Sequence, residues 1–83
     1  MQVMTVPTTL KKFRTELYPR VSQEMMAHSS QIAYLTYRKA ENGENVSYTT
    51  SEKILKALNE YRKLNHPPLA PIEKVQDLEL SIV

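Results

Sequence analysis

Cysteine is missing from this 83-residue chain, tryptophan is missing too, and glycine occurs once. Without cysteine there is neither a disulfide framework nor a thiolate zinc site, and His28 and His66, far apart in sequence, do not compose a metal site by themselves. No apolar run approaches the length of a membrane span, and the N-terminus Met-Gln-Val-Met-Thr-Val-Pro has neither a charged start nor an apolar signal core. No serine, histidine and carboxylate fall at a spacing that suggests a nucleophile with its base. The expectation is a soluble, cytoplasmic, nucleoid-associated protein that is not an enzyme and takes no cofactor. At this length one domain buries only about 60% of its unfolded surface, and so thin a core favours dimerisation.

What is there is unevenly charged. The net charge is only +2. Residues 1–40 carry six bases and two acids, whereas residues 41–83 carry five and seven, so positive potential belongs to the first half.

That half contains the stretch on which the rest is organised, Ser22 to Gly43. Ser22 is a good N-cap, Met26 and Ala27 are the apolar positions of a short helix, and Ile32 packs the elbow before a second helix that turns Tyr37 and Ala40 inward. The small Ala27 lets the two helices cross closely. With Tyr37, Ala40 and Glu41 inward, Tyr34, Leu35, Arg38 and Lys39 share the opposite face at i, i+1, i+4 and i+5.

Ser22-Gln23-Glu24-x-Met26-Ala27, then Ile32, then Tyr37-Arg38-Lys39-Ala40-Glu41-Asn42-Gly43 resembles the Cro and lambda-repressor-like (XRE) helix-turn-helix family without a gap, and the likeness extends over about Thr8 to Leu64. Two positions depart from its pattern. Gln31 stands where the family usually has glycine and would have to take a left-handed or adjusted conformation at a cost near ~1 kcal/mol. Ala33 stands where serine or threonine usually caps the second helix, leaving an N–H for water or a phosphate.

The resemblance implies an all-α, five-helix DNA-binding domain with a short C-terminal extension, and a partly buried ion pair between Arg14 and Glu41. It also implies that the second helix enters the major groove. Ala33, Tyr34, Leu35, Arg38 and Lys39 would then meet base edges: Arg38 or Lys39 donating to guanine O6 and N7, Leu35 against a thymine methyl. Gln23 falls where the family often places a glutamine on adenine or phosphate. Ser22, Arg20, Asn42, Thr50 and Ser51 are the candidate phosphate contacts around that helix.

On either side the chain reads as follows. Residues 1–7 lack a helical period and are expected to be an arm or an anchor strand, with Val6-Pro7 as an extended dipeptide. Thr8 or Thr9 caps a first helix with Leu10, Phe13 and Leu17 on one face, ended by Pro19. Thr49 and Glu52 make a capping box for a long helix to about Asn65, with Ile54, Leu58 and Tyr61 inward, Leu55 and Leu64 beside them, and Lys53, Lys56 and Arg62 on the outer face. Pro71 is placed to open a fifth, short helix through Ile72, Val75 and Leu78. The period then changes from three to two, Leu78, Leu80 and Ile82 alternating with Glu79 and Ser81, which predicts a strand. Left alone it would be a sticky edge; pairing with the same segment of a second chain would cover it, and packing on its own subunit is the alternative.

Three parts are therefore expected: an arm at 1–7, a helix-turn-helix domain at 8–66, and a dimerisation segment at 67–83 through Leu78, Leu80 and Ile82. The function expected is sequence-specific binding of double-stranded DNA as a homodimeric transcriptional regulator, a repressor on a palindromic operator. The rival is an antitoxin or accessory module that neutralises a partner protein.

Overall fold

The computed structural model describes residues 7–83; most of the expected N-terminal arm, residues 1–6, lies outside them. Four α-helices follow in order: α1 (Thr9–Thr15), α2 (Gln23–Ser30), α3 (Tyr34–Glu41) and α4 (Tyr48–Leu64). The chain is all-α, with four α-helices rather than five among the described residues, and a single 3₁₀ turn at Val75–Leu78.

Each helix starts for a local reason. The Thr8 side chain accepts from the Lys11 N–H and caps α1, and Ser22 accepts from the Met25 N–H and caps α2. α4 begins two residues earlier than the Thr49 capping box predicts, because Ser47 is the cap: its Oγ accepts from the Thr50 N–H at 3.1 Å. Gln31 ends α2 in the left-handed region (φ 58°, ψ 43°), turning the chain sharply into α3. There Ala33 takes the extended N-cap geometry without a side-chain bond.

α2 packs on α3 and α4, and α1 on α3. Leu10, Met26, Tyr37, Ile54 and Leu58 meet at the centre, each without exposed surface. Such closely packed side chains bring most of the stability of so small a domain. Leu64, expected beside this stripe, points outward and is exposed.

The largest difference from expectation is the C-terminal segment. Ile72, Val75 and Leu78 are buried, but no α-helix joins them: residues 65–74 form an irregular strap, and only the 3₁₀ turn links Val75 to Leu78. Asn59 on α4 clamps it. Its Nδ2 donates to the Ile72 carbonyl at 2.9 Å and its Oδ1 accepts from the Ile72 N–H at 2.8 Å, so both main-chain groups that a helix would use are taken. Arg62 adds a second hold, its Nε donating to the Ala70 carbonyl at 2.8 Å while its guanidinium lies 5.4 Å from the Phe13 ring centroid and pairs with Glu16. Arg62 thus ties α1, α4 and the strap together, although its sequence position suggests the outer face.

The tail then returns to its own subunit. Val46 donates to the Ser81 carbonyl at 2.8 Å, and Val83 donates back to the Val46 carbonyl at 3.1 Å, an isolated parallel bridge in place of the expected strand. Leu78, expected to face a second chain, is fully enclosed in the core, and Leu80 packs partly against it. Ile82 is exposed on its surface. The alternation that suggests an intermolecular strand is satisfied by one bridge and one apolar pocket in cis.

Candidate nucleic-acid interface

α3 is amphipathic in the sense its sequence predicts. Tyr37, Ala40 and Glu41 are buried, whereas Tyr34, Leu35, Arg38 and Lys39 are exposed on the other side, Leu35 at 66%. The Arg38 guanidinium stands 5.7 Å from the Tyr34 ring centroid, within cation–π range, which orders two long side chains on the open face. A cation, a phenol and an exposed aliphatic group one helical turn apart can meet acceptors and a methyl group on one surface.

What holds α3 at its angle is a buried polar cluster behind it. Arg14 of α1 donates from Nε to Glu41 Oε2 at 2.5 Å and from a terminal nitrogen to Oε1 at 3.1 Å, a two-point clamp. Gln23 of α2 donates from Nε2 to Glu41 Oε1, also at 3.1 Å. Arg14 further donates to the Val21 carbonyl at 3.1 Å, and Thr8 Oγ1 donates to the Glu41 carbonyl at 2.7 Å. One carboxylate at the end of α3 is therefore bonded from α1 and from α2.

Electrostatics agree with this geometry. Burial pushes the Glu41 carboxyl up, yet the bonds from Arg14 and Gln23, with the Tyr37 hydroxyl close by, outweigh it, and the group lies below the ordinary carboxylate range. Arg14 is raised, chiefly by its bond to Glu41. Tyr37 is raised by burial first and then by the Glu41 charge; its hydroxyl faces the carboxylate without closing a hydrogen bond of standard geometry.

The remaining expected contacts divide. Arg20 and Asn42 are exposed, on the loop before α2 and at the end of α3. Ser22 is exposed while capping α2. Together with Gln23, Glu24 and Tyr34, Arg20 and Ser22 line an open cleft of about 370 Å³ where the first turns of α2 and α3 come together. Gln23 is half-buried and one of its amide N–H groups is committed to Glu41, which leaves its carbonyl oxygen and one N–H to reach outward. Thr50 is half-buried and its Oγ1 accepts from Ser47 Oγ at 3.0 Å. Ser51 is a correction. It has no exposed surface, and its Oγ donates to the Tyr48 carbonyl at 2.5 Å, because starting α4 at Tyr48 rotates position 51 into the core.

Among the described residues no three histidine, aspartate or glutamate side chains gather as a metal site, and no helix is long and apolar enough to cross a membrane. Comparison with family models, with curated proteins and with solved structures finds no match to this chain, so the interface rests on its own geometry.

Proposed function

We propose that this chain is a helix-turn-helix domain of the Cro and lambda-repressor-like kind that binds double-stranded DNA sequence-specifically and regulates transcription. The observation that carries the reading is the division of α3: one face anchored through Glu41 to two other helices, the other presenting Tyr34, Leu35, Arg38 and Lys39 uncovered by any of the described residues. A helix so mounted can lie in the major groove, where Arg38 or Lys39 donates to guanine and Leu35 meets a thymine methyl. The open cleft with Arg20 and Ser22, and the uncapped start of α3 at Ala33, offer donors to phosphates at the groove's edge. In this family reading the strap over α4 stands where a fifth helix is expected.

The chain acts as a homodimer on a roughly palindromic operator, and repression by occlusion is the simplest mechanism. Leu78 and Leu80 being committed to their own subunit, the large apolar groups that the end of the tail leaves exposed to a second copy are Ile82 and Val83.

Selection of bound sequences from a random duplex pool tests the reading. It should return half-sites whose centres lie about one turn, ~34 Å, apart. If each subunit neutralises three or four phosphates, log K against log salt should fall with a slope of about −6. An unenriched pool, or association independent of salt, overturns it.

A further inference from the structure

A second open groove lies away from the exposed face of α3, between the C-terminal end of α2 and the length of α4. Its volume is about 540 Å³, within the range of small-molecule sites. Ser29, Ser30 and Gln31 form one wall, and Lys53, Lys56, Ala57, Glu60, Tyr61 and Leu64 form the other. The Ser29 hydroxyl and the Tyr61 hydroxyl bond across it at 2.7 Å, fixing the two walls relative to each other. Ser30 is buried, and its Oγ has no hydrogen-bond partner among the described residues.

The α4 wall is graded. Lys53 and Lys56 stand at one end, and Tyr61 and Leu64 at the other, a run of about 16 Å at the helical rise per residue. Among the described residues neither lysine lies within ion-pair distance of a carboxylate, although Glu52 and Glu60 each stand four residues from Lys56. Leu64, at 67% exposed, is left uncovered at the apolar end. Glu60 on the same wall opposes a second negative charge in the occupant.

We propose that this groove binds a small amphipathic monocarboxylate, its acid end at Lys53 and Lys56 and its apolar body along Ala57, Tyr61 and Leu64. The lysine pair supplies charge-assisted bonds, the exposed Ser29–Tyr61 pair supplies hydroxyls, and the tail of the ligand covers Leu64. This assignment rests on the groove and not on the reading of DNA by α3.

The test is an NMR titration of the full chain, without DNA, using octanoate below its micelle-forming concentration, 1-octanol and inorganic phosphate as separate probes. Octanoate should give saturable shifts centred on Ser29, Ser30, Ala57, Tyr61 and Leu64. The double variant K53Q/K56Q, changed at two exposed positions, should weaken octanoate about tenfold while leaving octanol binding unaltered. Octanoate shifts centred on Leu35 or Val83, a response that does not saturate, equal affinity for K53Q/K56Q, or saturation of the same groove by phosphate alone would each overturn the proposal.

Discussion

Replacing Arg14 by methionine removes the two-point clamp on Glu41 and leaves a carboxylate whose side chain is 1% exposed. Stranding one partner of a buried ion pair costs roughly 3–5 kcal/mol. A small domain has a total stability of only about 5–15 kcal/mol, so R14M should be marginal at pH 7. The pH dependence distinguishes the cause. In the parent protein Glu41 is depressed in the folded state, so its contribution is present above the unfolded carboxylate value near ~4.3 and is lost as pH falls through the lower folded value. In R14M the largest opposing influence is gone and burial prevails, placing the folded carboxyl above its unfolded value. Its contribution then reverses: R14M should gain stability relative to the parent as the pH is lowered from 7 toward 5. Glu41→Gln should cost less than R14M, because Arg14 keeps some solvent and its bond to the Val21 carbonyl. Urea melts followed by circular dichroism at several pH values, on R14M, E41Q and the double variant, measure all of this. A cost for R14M that is the same at pH 7 and pH 5, and equal to that of E41Q, would refute the argument.

Leu78→Ala should destabilise the fold by about 2–5 kcal/mol, as for a large side chain deleted from a close-packed core, while Ile82→Ala changes little. Chemical melts at two protein concentrations check it; a loss that depends on concentration would return Leu78 to an intermolecular role. Ala33→Ser supplies the missing cap on α3 and should raise stability by about 0.5–1 kcal/mol, read as a shift in the urea midpoint. Arg38→Ala or Lys39→Ala should cost about 1–3 kcal/mol on the selected operator and much less on unrelated duplex, measured by fluorescence anisotropy at fixed salt. Equal loss on every sequence would reassign the residue to the phosphate backbone.

Much of the helical half is legible before any coordinates. Ser22 and Thr8 announce their helices because a cap is a contact between near neighbours in sequence. The facing of α3 follows from its 3.6-residue period, which places Tyr37 and Ala40 opposite Leu35 and Lys39. That Gln31 would carry a turn costly for a residue other than glycine is legible as well, while the choice of the left-handed form over another adjustment is made by the fold. The pairing of Arg14 with Glu41, 27 residues apart, comes from the likeness to a known pattern and not from local chemistry.

The remainder belongs to tertiary structure. Ser47 rather than Thr49 caps α4 because several hydroxyls compete within four residues, and one shift in the start decides that Ser51 goes to the core. The apolar spacing of Ile72, Val75 and Leu78 marks them for burial but does not choose the backbone between them; Asn59 and Arg62, distant in sequence, hold it as a strap. The sequence by itself determined which faces of the first three helices would be inside and where the two capped ones, α1 and α2, would start, because hydrophobic period and capping act over one or two turns. Only the fold decided what the C-terminal segment packs against, where Gln23 spends one of its donors, and that α2 and α4 leave a groove between them. Those outcomes depend on which distant surfaces come within hydrogen-bond and van der Waals reach, a quantity that no local pattern encodes.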